Sequence, residues 1–114
     1  MKSLNAIKIK NKDRVAINMA SKRLKKTIPV EKIILFGSKA RGDDDSESDI
    51  DLLLLTKRFI TWSERKAIID SLYYIQLDYD VIFSPFVIPT KEFHEGTFSV
   101  MPIYNEILHE GAVV

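Results

Sequence analysis

Residues 49–55 read Asp-Ile-Asp-Leu-Leu-Leu-Leu, two acids running directly into an apolar tract. With the period-two geometry of a strand, Asp49, Asp51, Leu53 and Leu55 share one face, and Ile50, Leu52 and Leu54 share the other. From residue 52 onward both faces are apolar, which predicts an interior strand covered on both sides. The two aspartates then sit side by side at the mouth of a buried strand. Unpaired carboxylates lose hydration there at a high cost, so the pair calls for a cation.

The remaining elements supply the cover. Residues 12–27 predict an amphipathic helix with Ile17, Ala20, Leu24 and Ile28 at helical spacing, ended by Pro29. The β-branched and aromatic run Val-Glu-Lys-Ile-Ile-Leu-Phe-Gly (30–37) predicts a strand that stops at Gly37. A short turn and a polar loop follow to Ser48, and residues 48–56 form the second strand. Thr61 and Glu64 have the spacing of a capping box for a helix to about Gln76, with Ile68, Leu72 and Ile75 inward. Residues 78–87 predict a third strand, weakened near its end by Pro85. A turn region around Pro89 and Gly96 leads to a last helix over 100–110, with Ile103, Tyr104, Ile107 and Leu108 on its apolar face and Gly111 as its stop. The order α-β-β-α-β-α predicts an α/β (α+β) fold, a small mixed β-sheet flanked by helices. At 114 residues, one domain spanning 1–114 is expected.

Composition narrows the functional classes. The chain contains no cysteine, which rules out thiolate metal sites and disulfides and suits a cytoplasmic location. Its apolar runs fall well short of the roughly 18 residues that cross a bilayer, so no membrane partner is expected. A net charge of +1 argues against direct nucleic-acid binding by the chain as a whole. The charge is unevenly placed: residues 1–26 carry nine Lys or Arg and one acid, whereas residues 43–51 carry six acids and no base.

A third carboxylate, Asp80, is expected to open the third strand and complete a triad with Asp49 and Asp51; Asp78 is its rival, two residues earlier. An all-oxygen cluster suits Mg²⁺, particularly where phosphates share the coordination, and three carboxylates around two metal ions suit in-line displacement at phosphorus. The Gly37-Ser38 turn would bring backbone N–H groups and a hydroxyl to phosphate oxygens, and Arg41 would add a charge-assisted contact. Two competing motifs fail. A calcium loop beginning at Asp43 would have Ser48 where glycine is needed and Leu54 where glutamate is needed. A Walker loop lacks its Gly-Lys-Ser/Thr. His94 and His109 stand apart from the acids and read as surface residues. Ser38 has no evident base to make it a nucleophile. Trp62, Tyr73 and Tyr74 read as core or interface packing.

The spacing Gly37-Ser38, ten residues, Asp49-x-Asp51, with Asp80 further on, resembles the nucleotidyltransferases of the DNA polymerase β-like superfamily. The C-terminal Asn-Glu-Ile-Leu-His-Glu-Gly-Ala-Val-Val resembles the end of the minimal nucleotidyltransferases, the MntA-type antitoxins encoded beside HEPN-domain toxins. The resemblance implies transfer of AMP from ATP to an acceptor hydroxyl with two Mg²⁺ ions, the acceptor being a tyrosine of a cognate HEPN toxin. It assigns Gly37 and Ser38 to the phosphates, with Arg41 beside them. Asp49, Asp51 and Asp80 become the metal-holding catalytic residues, Asp80 also helping to deprotonate the acceptor. Two other readings stay open: an antitoxin that acts by binding with little catalysis, and an enzyme whose acceptor is a small molecule or an RNA end. Oligomeric state is not legible.

Overall fold

The structure is a computed structural model that describes residues 1–45 and 47–114. In chain order its elements are β1 (Lys2–Ser3), α1 (Asn11–Thr27), β2 (Val30–Phe36), α2 (Ser38–Arg41), β3 (Ile50–Thr56), α3 (Trp62–Tyr79), β4 (Phe83–Pro89), α4 (Thr90–Glu95), α5 (Pro102–Glu110) and β5 (Ala112–Val113). Short 3-10 turns lie at Leu4–Ala6 and Thr97–Val100. The five strands form one mixed sheet in the order β1-β5-β2-β3-β4. β2 runs antiparallel to β3, and β4 runs parallel to β3.

β3 is the interior strand expected from its leucines: Leu52, Leu53, Leu54 and Leu55 are all buried. Each buried leucine contributes roughly 1.5–3 kcal/mol of apolar burial. Leu52 and Leu54 pack with Ile17, Leu24, Ile68 and Leu72, from α1 and α3. Leu53 and Leu55 pack on the other face with Phe93 of α4 and Ile107 of α5. The alternation that separates these two layers also sends Asp51 to the α4/α5 side.

The fold class and the three long strands agree with the sequence reading; the third strand's position does not. α3 continues to Tyr79 and β4 begins at Phe83, five residues after the expected start at 78. The cause is helical spacing. Ile68, Leu72, Ile75 and Tyr79 lie on one stripe, and Tyr79 extends the core contact that keeps the last turn wound. Asp80 then ends the helix in the left-handed conformation, with φ 52°, its N–H donating to the carbonyl of Gln76. Aspartate is among the few non-glycine residues that adopt this conformation readily. The Gln76 side chain accepts from the N–H of Phe83 at 2.8 Å and so joins the helix end to the strand start. β4 runs through Pro85 to Pro89 because it is an edge strand, where a missing N–H faces no partner. The very short β1 and β5 and the helix α4 carry too little pattern to be read in advance.

Candidate active site

At the head of β3, the sheet register aligns three residues on one face. Asp51 pairs with Phe36 of β2 on one side and with Ser84 of β4 on the other. Asp51 is half-buried, and Asp49, one residue ahead of the strand, is exposed. Burial raises the Asp51 pKa above its ordinary value, the charge of Asp49 raises it further, and Arg41 partly opposes both. The pair therefore has the electrostatic demand expected from the sequence: two carboxylates held together, one of them partly dehydrated.

Gly37 explains the turn beside them. Its φ is +77°, in the left-handed region, and a Cβ there would collide with the Asp51 carboxylate. Glycine thus allows the backbone leaving β2 to pass directly against the acid. Ser38 begins the single helical turn α2, whose first N–H groups have no intrahelical acceptor. Gly42, at φ +84°, closes the turn in the left-handed conformation. The Gly37-Ser38 N–H groups and hydroxyl consequently converge on the same end of the sheet as Asp51. Arg41 lies on this side too, held by Asp43 at 3.1 Å and Glu110 at 3.5 Å.

Asp80 does not join them. The expected triad required Asp80 on β4, but it caps α3, three residues before the strand, and its carbonyl accepts from Lys12 Nζ at 3.1 Å. It lines a polar cleft of about 150 Å³ with Lys10, Lys12 and Lys39, beside the start of α1. Asp78 is an exposed residue of α3. Among the described residues no group of three His, Cys, Asp or Glu is placed to hold a metal ion. The position on β4 in register with Asp51 is Ser84. The donor set that remains, two carboxylates and no nitrogen or sulfur, still suits a hard divalent cation whose other ligands are phosphate oxygens and water.

Sequence reasoning missed Lys39, the residue after Ser38. Its ammonium is buried and bonds Asp13 of α1 at 3.0 Å and Asp44 of the acidic loop at 3.2 Å. Burial alone would lower its pKa, but the hydrogen bonds and charges of Asp13 and Asp44 outweigh that, so the ammonium sits above its ordinary value. The signal was faint: Asp13 is the one acid in a strongly basic N-terminal segment. Asp44 of the acidic loop is therefore clamped to the turn that Gly37 and Ser38 begin.

Next to Asp51 the same face opens into an apolar recess of about 240 Å³ under α5 and the 3-10 turn that precedes it. Ile103, expected to face the core, is partly exposed at its rim. Trp62, Tyr73 and Tyr74 are exposed, with Ile69 and Leu77, along the outer side of α3, so they are not core residues.

The family profile described as polymerase beta, nucleotidyltransferase matches residues 18–98, a span that contains Gly37, Ser38, Asp49, Asp51 and Asp80. A relative from Methanocaldococcus jannaschii, named a protein adenylyltransferase, is 45% identical over 58 residues, which are 51% of this chain and 59% of that protein. The matched segment thus spans a little over half of that relative. Two solved structures share the fold at 17% identity, each match covering 91% of this chain and 72% of the other. One is a toxin-antitoxin with AMP-PNP, at a TM-score of 0.59. The other is a mutant of the toxin-antitoxin MntA-HpeT, at 0.57. No helix of the described residues is long and apolar enough to cross a membrane.

Proposed function

This chain belongs to the polymerase beta nucleotidyltransferase family, and from that premise we propose that it transfers AMP from ATP to an acceptor hydroxyl with Mg²⁺. The acceptor is a tyrosine of a partner HEPN-domain toxin, which makes the protein an antitoxin. The observation that carries this reading is the partly dehydrated Asp51 beside Asp49, against a glycine turn that leaves room for nothing larger than a hydrogen at Gly37. The name of the archaeal relative and the nucleotide analogue in the structural neighbour point the same way.

In this mechanism Asp49 and Asp51 hold the metal. Mg²⁺ supplies charge neutralisation on the polyphosphate and a lowered pKa for the attacking hydroxyl. The Ser38 hydroxyl and the free N–H groups of α2 donate to the phosphate oxygens of the leaving pyrophosphate, and Arg41 adds a cation beside them. Gly37 keeps that turn and the carboxylates close enough to act on one triphosphate. Proton acceptance by Asp80 is not part of the mechanism, because Asp80 lies at the end of α3.

Calorimetric titration of Mg·ATP into the wild type and into the double variant Asp49→Ala/Asp51→Ala tests the reading. Metal-dependent binding to the wild type, lost in the variant, is the expected result. Folded wild type that binds no Mg·ATP would overturn it.

A second reading has its own support. Trp62 is 84% exposed, and Ile69, Tyr73 and Leu77 form an exposed apolar patch further along the same side of α3. Such a patch marks an interaction surface on a protein of this size. In this reading the chain neutralises a toxin by binding it. Neutralisation by the Asp49→Ala/Asp51→Ala variant, and its loss in Trp62→Ala/Tyr73→Ala, would favour binding over catalysis.

A further inference from the structure

We propose that the apolar recess beside Asp51 is the acceptor subsite, and that it selects a phenol ring carried on a protein over a sugar or aliphatic hydroxyl. The inference rests on the nucleotidyltransferase reading above and asks from which side the acceptor enters.

The sheet register supplies the direction. The Gly37-Ser38 turn lies at the end of β2, the carboxylates lie at the head of β3, and β4 is on the far side. If the departing pyrophosphate is held by the β2-side turn and the α-phosphorus by Asp49 and Asp51, the attacking oxygen comes in line from the opposite side, over β4. The nucleoside leaves the phosphorus at an equatorial position, roughly perpendicular to that line. In the step itself, the acceptor oxygen bonds to the α-phosphorus and the bridging bond to the β-phosphorus breaks. Pyrophosphate departs with the electron pair, and the hydroxyl proton is released to solvent.

What waits on the β4 side is apolar. Phe36 of β2, Pro85, Phe86, Phe98, Ile103 and Ile107 line the recess, with Phe36 and Ser84 on the side nearest Asp51. Phe86 and Phe98 stack with their ring centroids 5.4 Å apart. The recess has about 240 Å³ of space, and an apolar cavity of about 150 Å³ is enough to take up benzene. One phenol ring therefore fits, with its hydroxyl directed past Ser84 toward the carboxylates. A sugar or an RNA end would lose hydrogen bonds to water on entering this lining and regain few. Of the lining residues, Phe86 and Ile103 are exposed at 36% or more of their area, and Val100 and Met101, between Phe98 and Ile103 in the chain, are exposed too. An apolar rim of this kind suits a protein that brings the ring on a surrounding surface, not a small soluble acceptor.

The test uses the full chain with Mg·ATP and two model acceptors, N-acetyltyrosinamide and N-acetylserinamide, with AMP transfer read by mass spectrometry. Phe86 and Ile103 are partly exposed, so Phe86→Ala and Ile103→Glu should leave the fold intact, as circular dichroism will check. The expected result is transfer to the tyrosine compound over the serine compound, reduced about tenfold by either variant, with Mg·ATP affinity unchanged. Methyl NMR of Ile103 and Ile107 during titration with N-acetyltyrosinamide, without nucleotide, should show saturable shifts that Phe86→Ala abolishes. A preference for the serine compound would overturn the proposal, as would wild-type transfer rates in both variants. Weakened Mg·ATP binding in the variants would assign the recess to the nucleobase and overturn it equally. The NMR titration judges the recess independently of nucleotide: shifts without Mg·ATP binding would uphold the subsite and count against the transferase reading alone, and no shifts would overturn the subsite.

Discussion

Two sets of acids meet the Gly37–Arg41 segment and are treated in opposite ways. Asp13 and Asp44 close on the buried ammonium of Lys39, at 3.0 and 3.2 Å. Asp49 and Asp51 face each other's charge, and the half-buried Asp51 is pushed toward the protonated state. The first set meets its electrostatic demand inside the protein, and the second leaves it to be met from outside. A closed cluster holds parts of the fold together. An open one stores an unfavourable interaction that a bound cation can relieve, which is how a protein makes a site that costs it some stability.

The largest effect should come from opening the closed cluster. Asp13→Ala leaves the Lys39 ammonium buried with only Asp44, and should destabilise the fold by about 3 kcal/mol in urea denaturation. Replacing both partners, as Lys39→Met/Asp13→Leu, should recover most of that loss, because two apolar groups need no partner. Should Asp13→Ala prove nearly neutral, Lys39 must find another partner or water, and the contrast between the two clusters weakens.

The open cluster should behave in the reverse manner. Asp49→Ala/Asp51→Ala should weaken Mg·ATP binding by about a hundredfold, roughly 2.7 kcal/mol, while leaving the urea midpoint close to the wild-type value. Loss of fold in this variant would mean that the two aspartates serve the structure, and the distinction drawn above would be wrong.

Gly37 sits between the two clusters, and replacing it sharpens the comparison. Gly37→Ala imposes a left-handed φ on a residue with a side chain and drives its Cβ into the Asp51 carboxylate. A stability loss of about 1–3 kcal/mol is expected from the backbone alone. Mg·ATP binding should fall more than that loss explains, since the collision displaces a carboxylate proposed to hold the metal. Paired urea denaturation and calorimetry separate the two effects.

How much of this was legible follows from the range of the interactions involved. Asp49, Asp51 and the leucines after them declare themselves through period two, and Gly37-Ser38 through its spacing to them. The helices α1 and α3 declare themselves through buried residues at helical spacing. Asp80 misled because its neighbours Tyr79 and Val81 look strand-like in isolation, whereas Tyr79 completes the α3 stripe begun at Ile68. Reading that stripe one turn further would have ended the helix at Asp80 and brought Ser84 opposite Asp51. Lys39 was hidden for a different reason. Its partner Asp13 lies 26 residues away, and no local pattern marks a lysine as buried. The recess beside Asp51 is assembled from β2, β4, the Thr97–Val100 turn and α5, so only the tertiary fold reveals it.

The smallest effect is the most direct probe of the stored repulsion. Because burial and Asp49 raise the Asp51 pKa in the folded protein above its ordinary 3.8, the folded state binds that proton more tightly than the unfolded chain. Stability contributed at this site therefore falls as pH rises from about 3.8 through the folded pKa, and the penalty is complete above it. Asp51→Asn carries no such charge. Without metal, it should melt slightly above the wild type at neutral pH, and the advantage should shrink to nothing as pH is lowered below the ordinary aspartate value. Adding Mg·ATP at neutral pH should reverse the order, since the ligand raises the wild-type midpoint by mass action and has lost its hold on the variant. Scanning calorimetry across pH, with and without Mg·ATP, would show the crossover. A variant that melts below the wild type at neutral pH without ligand would mean that Asp51 already has its partner within the protein, and the site would then belong with the closed cluster.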